Sequence, residues 1–301
     1  THGLTLQANT LNNSGVIGSQ SSLTLNLANF LTNSGHIVTE SQIVTESQNA
    51  HGNAGLILTA NTLTNTATGS IGSKGNYQIN ATHMSNAGQL ISENANVVMQ
   101  LTGSDQVNHS TGTIGTKGSL TLGFGTSINN QGVILAEGLD QNGASLTLQT
   151  GTLDNSGQIE GKGKVTLNVT DLTNIASGLI SSETYILANT QTLVNQGNFK
   201  SNGQLILNTH NLTQTGGLYA GDRIDLNVTQ AFENRGTISA LNQLNITTAN
   251  FMNVGTVEAK HLNLSADTFI NQAGVGTFNI ENASFTTRIF ENHGELSFNE
   301  F

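Results

Sequence analysis

An asparagine recurs about every twenty residues along this chain of 301 residues, each time inside the same short frame. The frame reads LTLQANTLNNSGVI at Leu4–Ile17 and LTLNLANFLTNSGHI at Leu23–Ile37. It consists of alternating aliphatic residues, a short polar stretch, one further apolar residue and then Asn-x-Gly-x-Ile. A fixed period of this length predicts a solenoid, because a single coil cannot bury its apolar face without stacked neighbours.

Within each frame the aliphatic residues alternate with polar ones, as in Leu4-Thr5-Leu6 and Leu146-Thr147-Leu148. This period of two is typical of β-strands. The chain has no proline, which fits coils that donate backbone N–H groups to their neighbours. We therefore predict an all-β fold, a parallel β-helix of about 14 coils, forming a single repeat domain over residues 1–301. We expect aliphatic columns inside, columns of Thr, Asn and Ser outside, and glycines at corners that require a positive φ.

The recurring asparagines are interpreted as a structural ladder. Identical amides stacked from coil to coil can hydrogen-bond along the axis, as they do in cross-β assemblies. A row of amides that binds sugar hydroxyls is the alternative. The column consists of Asn13, Asn33, Asn65, Asn86, Asn108, Asn130, Asn155, Asn174, Asn195, Asn234, Asn253, Asn271 and Asn292, and Gln214 takes the place between Asn195 and Asn234.

The charge balance argues against two classes of partner. The chain carries nine Lys and Arg residues against 19 Asp and Glu residues, for a net charge of −10. Nucleic-acid binding and membrane-surface binding both depend on clustered cations, so we expect neither. No stretch is long and apolar enough for a membrane-spanning helix. The lack of cysteine excludes a disulfide scaffold and a thiolate zinc site.

The pattern L-x-N-x-G-x-I, repeated over residues 3–298, resembles the filamentous haemagglutinin repeats of two-partner-secretion exoproteins. That class includes large adhesins, haemolysins and contact-dependent growth-inhibition proteins. The resemblance implies a right-handed parallel β-helix that an outer-membrane transporter exports and that forms a fibre on the bacterial cell surface. It also implies contact with a receptor protein or glycan on a target cell. Secretion domains of the class carry Asn-Pro motifs, which this proline-free chain lacks, so we expect an internal stalk or receptor-binding segment.

Charged residues of alternating sign lie three positions after the buried aliphatic residue of seven consecutive coils. They are Glu40, Lys74, Glu93, Lys117, Glu137, Lys162 and Glu183, and they include the phrases IGSKG (Ile71–Gly75) and IGTKG (Ile114–Gly118). Stacked opposite charges stabilise a sheet by about 0.2–1 kcal/mol per pair and oppose a slip by one coil. We interpret the series as a charge ladder; a lysine-lined ligand groove is the alternative.

Two inserts interrupt the spacing and are the candidate partner-contact loops. The first, at about residues 38–53, contains the duplication IVTESQIVTESQ (Ile37–Gln48), and the second, at 137–145, is the polar stretch EGLDQNGAS. Loops on a rigid scaffold are common recognition elements. Because solenoids tolerate outward loops, inserts without a function are the alternative. The candidate contact residues are Glu40, Glu46, His51, Glu137, Asp140 and Asn142.

No motif indicates catalysis, a metal site or a cofactor. The eight histidines include no i,i+2 or i,i+4 pair and no HExxH, so metal binding is not expected. The stretch GDRID (Gly221–Asp225) places two carboxylates beside an arginine, and we interpret it as a charged strand edge. Some parallel β-helices are polysaccharide lyases or hydrolases. An enzyme is therefore the rival hypothesis, although the carboxylates are thinly spread.

The C-terminal stretch, residues 269–301, is rich in aromatic side chains. It contains six of the 11 phenylalanines, namely Phe269, Phe278, Phe285, Phe290, Phe298 and Phe301. Large rings suit terminal coils or a cap that covers the end of an apolar column. The approach to a following domain is the alternative.

Overall fold

The described part of the chain consists of β-strands and their connections. The computed structural model describes residues 3–40, 54–93 and 96–298, and within these ranges no helix occurs. The chain divides into two compact units, residues 1–153 with 157–163 and residues 154–156 with 164–301. Together they contain about 14 turns of a β-solenoid with parallel strands, which confirms the predicted fold class.

The strands are short, and they are numbered here in chain order. They are β1 (Leu4–Asn13), β2 (Val16–Ser19), β3 (Leu23–Asn33), β4 (His36–Thr39), β5 (Ala54–Asn65), β6 (Ser70–Ser73), β7 (Asn76–Asn86), β8 (Gln89–Ser92), β9 (Val97–Leu101), β10 (Gln106–Asn108), β11 (Thr113–Thr116), β12 (Leu120–Phe124), β13 (Ser127–Asn130), β14 (Val133–Ala136), β15 (Ala144–Asn155), β16 (Gln158–Gly161), β17 (Lys164–Asn174), β18 (Leu179–Ser182), β19 (Tyr185–Asn189), β20 (Thr192–Asn195), β21 (Asn198–Ser201), β22 (Gln204–Thr209), β23 (Asn211–Gln214), β24 (Gly217–Ala220), β25 (Arg223–Val228), β26 (Phe232–Asn234), β27 (Thr237–Thr247), β28 (Asn250–Asn253), β29 (Thr256–Ser265), β30 (Thr268–Asn271), β31 (Thr277–Thr286), β32 (Ile289–Asn292) and β33 (Glu295–Phe298).

Each coil of the first unit passes through three parallel sheets. The first sheet contains β1, β3, β5, β7, β9, β12 and β15 in order. The second contains the later halves of β1, β3, β5 and β7, followed by β10 and β13. The third contains β2, β4, β6, β8, β11, β14 and β16.

The second unit has the same arrangement. Its first sheet contains β17, β19, β22, β25, β27, β29 and β31. Its second contains the end of β17, then β20, β23, β26, β28, β30 and β32. Its third contains β18, β21, β24 and the relevant parts of β27, β29, β31 and β33.

Aliphatic side chains stack into columns inside each unit. In the third sheet of the first unit, from the second coil on, the inward residue faces its counterpart in the next coil and is fully buried: Ile37, Ile71, Leu90, Ile114, Ile134 and Ile159. Such burial contributes about 25 cal/mol per Å² of apolar surface. It also fixes the register, because a slip by one residue would turn the whole column outward.

The repeat asparagines other than Asn292, which is exposed, lie inside the units, so the prediction that the Asn, Thr and Ser columns face outward is wrong for them. Asn33 and Asn86 are fully buried. Strand periodicity explains this, because Leu31, Asn33 and Ile37 are separated by even numbers of residues and share the inward face. Thr39 and Ser73 are also buried and share a hydrogen bond of 2.8 Å.

From the second coil on, the repeat glycines are required by close backbone approach rather than by a positive φ. Among the described residues, a positive φ occurs only at Asp105, Gly143 and Gly274. An added Cβ at Gly132 would lie 2.2 Å from the backbone oxygen of Gly112, too close for any side chain. The prediction of positive φ at the corners is therefore wrong, and steric exclusion between stacked coils replaces it.

Candidate functional site

The repeat asparagines form a hydrogen-bonded ladder inside each unit. In the first unit, Nδ2 of one asparagine donates to Oδ1 of the next at 2.8 Å (Asn13 to Asn33), 3.0 Å (Asn33 to Asn65), 2.9 Å (Asn65 to Asn86), 2.8 Å (Asn86 to Asn108) and 2.8 Å (Asn108 to Asn130). Nδ2 also donates to a backbone oxygen of the following coil, as from Asn86 to Thr113 at 3.2 Å. A buried amide with all of these partners has no group left for a ligand at the surface.

The second unit continues the same pattern with one change of side chain. Its bonds are 2.8 Å (Asn155 to Asn174), 2.9 Å (Asn174 to Asn195), 2.9 Å (Asn195 to Gln214 Oε1), 2.9 Å (Asn234 to Asn253), 3.1 Å (Asn253 to Asn271) and 2.8 Å (Asn271 to Asn292). Gln214 is longer by one methylene, and its Nε2 donates to the backbone oxygen of Gly216 at 2.9 Å. The column therefore tolerates a glutamine.

A second amide ladder lies on the outer face of the first sheet of the second unit, and the sequence analysis missed it. Asn189 donates to Asn168, Asn208 to Asn189 and Asn227 to Asn208 at 2.8–2.9 Å. The signal was present in the sequence, because an asparagine follows a buried aliphatic residue in four successive coils, as in Leu207-Asn208. The side chains of this outer ladder are at least partly exposed, so water can reach their amide groups.

The alternating charges of the first unit stack at one corner. The backbone N–H of each residue donates to the preceding coil: Lys74 to Thr39, Glu93 to Ser73, Lys117 to Ser92, Glu137 to Thr116 and Lys162 to Ala136, at 2.9–3.1 Å. Ion pairs within 4.0 Å among the described residues join Arg223 to Asp225, Arg235 to Glu233, Arg288 to Asp267 and His293 to Glu291. None of these pairs includes a member of the charge column, so stabilisation by the alternating charges stays a prediction. Glu183 occupies the corresponding corner of the second unit.

We expect Lys117→Glu to destabilise the chain by about 0.5 kcal/mol, because exposed stacked pairs lie at the low end of the range. The change places a carboxylate between Glu93 and Glu137, both exposed. Urea denaturation at low and high salt measures the effect, which should shrink at high salt. Lys117→Gln is the control, since it removes the attraction without adding repulsion. A loss that is equal in both variants would contradict the charge ladder.

The insert at 137–145 forms a compact turn. Asp140 Oδ1 accepts the N–H groups of Asn142 and Ala144, both at 2.8 Å, and Gly143 has a φ of +74°. Asp140 therefore holds the turn together, whereas Glu137 and Asn142 are exposed. In the first insert, Glu40 is exposed, and Glu46 and His51 lie outside the described residues.

In the stretch GDRID, both carboxylate oxygens of Asp225 have polar partners. Its Oδ2 lies 2.6 Å from Nη2 of Arg223, and Oδ1 accepts from Asn245 Nδ2 at 2.6 Å. Partial burial raises the pKa of the nearby Tyr185 hydroxyl, and the negative charge of Asp225 adds to that effect. An oxygen pair held by a guanidinium and an amide is suited to a structural role at a strand edge.

Two of the C-terminal phenylalanines, Phe269 and Phe290, continue an inward column of the second sheet. Ring centroids are 5.0 Å apart for Phe232 and Phe251, 6.1 Å for Phe251 and Phe269, and 4.8 Å for Phe269 and Phe290. Phe269 and Phe278 are buried, whereas Phe290 and Phe298 are exposed, and Phe301 lies outside the described residues. A cap at 269–301 stays a prediction.

Two further classes of site have no support in the described residues. They do not bring together three or more potential metal-ligating side chains in a group able to hold an ion. In the same ranges there is no helix that could span a membrane.

The comparisons with known proteins identify a repeat. The sequence profile of the haemagglutinin repeat matches five segments, residues 1–67, 47–99, 100–152, 143–216 and 201–284. No curated protein and no solved structure is significantly similar to the chain.

Proposed function

Because the chain belongs to the haemagglutinin repeat family, we propose that it is a stalk segment of a large secreted exoprotein, displayed as a fibre on the bacterial cell surface. The family is associated with two-partner secretion and adhesion and is generally non-enzymatic. The observation that carries the proposal is the combination of that repeat over residues 1–284 with a ladder of buried amides in both units. Interior ladders and aliphatic columns in successive coils suit a stiff spacer.

The inserts are the proposed contact points with a receptor protein or glycan on a target cell. The turn at 137–145 presents exposed Glu137 and Asn142 on a backbone that Asp140 fixes. A rigid turn loses little conformational freedom on binding, which favours recognition. Contact-dependent growth inhibition and delivery of a toxin domain from outside this segment are the more specific forms of the same proposal.

Surface display is tested on cells that naturally produce the protein. Antibodies raised against the purified chain should label intact cells as strongly as permeabilised cells. Labelling that requires permeabilisation would overturn the assignment to a surface fibre. Release of sugar fragments from polysaccharides by the purified chain would instead support the rival hydrolase or lyase.

We expect deletion of residues 138–143 to reduce adhesion of chain-coated beads to target cells several-fold, with little change in the denaturation midpoint. Deletion of residues 43–48 removes one copy of IVTESQ and leaves β4 intact, so it tests the first insert separately. Asp140→Asn is the matched control, because an amide oxygen can still accept in the turn. Undiminished adhesion in both deletions would exclude the inserts as contact points, and no adhesion by the intact chain would leave a plain stalk.

A further inference from the structure

The outward face of the third sheet in the first unit alternates between aliphatic ridges and glycine gaps. The residues that follow the inward aliphatic position in six consecutive coils are Gly18, Val38, Gly72, Ile91, Gly115 and Leu135. We call this surface the ridged face. It consists of these six residues, the outward residues two positions before each of them and the corner residues two positions after each of them. All of it lies in the first unit.

The fold does not require glycine at two of these gaps. An added Cβ would lie 3.8 Å from Val38 at Gly18 and 3.6 Å from the backbone oxygen of Leu135 at Gly115, both ordinary contacts. At Gly72 the nearest atom would lie 3.1 Å away, which is tighter. These spacings differ from the 2.2 Å at the corner glycine Gly132. Gly18 is exposed and Gly72 is half-buried under a groove of about 450 Å³, whereas Gly115 is buried.

The charges at the adjacent corner alternate with the same period. Each coil with an aliphatic ridge carries a glutamate, and the glycine coils carry lysine or, in the first of them, glutamine: Gln20, Glu40, Lys74, Glu93, Lys117 and Glu137. Glu40, Glu93, Lys117 and Glu137 are exposed, and Lys74 is half-buried. Each coil with an aliphatic ridge therefore carries a negative charge at its corner, and two of the three coils with a glycine gap carry a positive charge there.

This double alternation is self-complementary under a two-fold axis that passes between β6 and β8 and runs parallel to the strands. The axis brings two ridged faces together with their coil stacks antiparallel, which gives a closed pair. Each ridge then meets a gap of the second copy: Leu135 meets Gly18, Val38 meets Gly115 and Ile91 meets Gly72. We propose that two copies of this chain associate in this way.

The charges agree with the same axis. Glu40 faces Lys117 of the second copy, Lys74 faces Glu93, and Glu137 faces Gln20, so no like charges meet. Electrostatic complementarity of this kind favours one register over its neighbours. A shift by a single coil would set ridge on ridge and carboxylate on carboxylate.

The outward residues two positions before the ridges give separate support. In the six coils they are Val16, His36, Ser70, Gln89, Thr113 and Val133. The same axis pairs Val16 with Val133, His36 with Thr113 and Ser70 with Gln89. Apolar side chains thus meet apolar ones, and Val16, which is 71% exposed, gains a partner.

The expected association is weak. Six coils span about 24 Å and a strand of four residues spans about 13 Å, so each copy buries roughly 300–400 Å², below the size of stable complexes. Side-by-side fibres that repeat such contacts would bind more firmly through multivalency. The measurement therefore uses concentrated protein.

Sedimentation velocity of the full chain over about a hundredfold range of concentration tests the proposal. We expect a monomer–dimer equilibrium that Lys74→Glu weakens about tenfold. Adding Glu93→Lys should restore it, because opposite charges again face each other across the axis. Within one copy, the double variant still places like charges in adjacent coils (positions 40 and 74, and 93 and 117). Its thermal stability should therefore stay lowered, which separates association from folding.

Cysteine cross-linking tests the geometry, since the chain has no native cysteine. His36 and Thr113 are three coils apart, about 14 Å, too far for a bridge within one copy. We expect His36→Cys/Thr113→Cys to form a disulfide-linked dimer and each single variant to form little. A chain that is monomeric at every concentration, assemblies larger than a dimer, or equally fast linking by the single variants would overturn the proposal.

Discussion

Replacing Asn195 with alanine is expected to lower the free energy of unfolding by about 2–4 kcal/mol. Asn195 is fully buried, donates to Gln214 Oε1 at 2.9 Å and accepts from Asn174 at 2.9 Å. Alanine removes both bonds, leaves the Gln214 oxygen without its amide donor and opens a small cavity. Urea denaturation followed by circular dichroism measures the loss.

The same coil supplies the control. Asn189 also makes amide bonds to both neighbours, to Asn168 and from Asn208 at 2.9 Å, but it lies on the outer face where water can replace them. Asn189→Ala should therefore cost about 0.5–1 kcal/mol. The loss of stability for Asn195→Gln should lie between those for Asn195→Ala and Asn189→Ala, because a glutamine already occupies the next position of the column. Equal losses at positions 189 and 195 would show that burial does not set the strength of the ladder.

Replacing Phe251 with alanine is expected to cost about 3–5 kcal/mol, because it opens a cavity in the interior of the second unit. Phe251 is 1% exposed. Its ring lies between those of Phe232 and Phe269 and meets Phe278 edge-on, with centroids 6.4 Å apart. The loss therefore includes three ring contacts as well as the buried area.

Two variants calibrate that measurement. Phe290→Ala removes a ring of the same column that is 46% exposed, so we expect about 1 kcal/mol. Phe251→Leu keeps most of the volume, and leucine already occupies this column at Leu193 and Leu212, so about 1–1.5 kcal/mol is expected. A loss for Phe251→Ala no larger than for Phe290→Ala would contradict the packed column.

The repeat period was sufficient to predict the solenoid and the stacking of the asparagines, because both follow from spacing alone. It was harder to predict which face of the sheet each polar residue occupies. Residue polarity suggested that Asn33 faces outward, yet its even separation from Leu31 and Ile37 places it inside, where neighbouring amides satisfy it. Parity along the strand therefore outweighs polarity when a stacked partner is present.

The candidate contact residues were only partly accessible to sequence reasoning. The break in spacing located the insert at 137–145, but not which side chains hold the turn and which face solvent. That distinction depends on the two N–H groups that Asp140 accepts, a local geometry that no period encodes. The glycines show a similar limit, since Gly115 and Gly132 lie in neighbouring coils but face quite different surroundings.

The ladder bonds also bear on how the chain reaches its folded state. They join residues 18 to 21 positions apart within the second unit, for example Asn253 to Asn271 and Asn174 to Asn195. Each coil is therefore templated by the one beside it, so folding can start in one coil and propagate along the stack. A coil can add to a folded stack as soon as its own residues are present. Such a chain can fold progressively from one end, as fast as its residues are synthesised or exported.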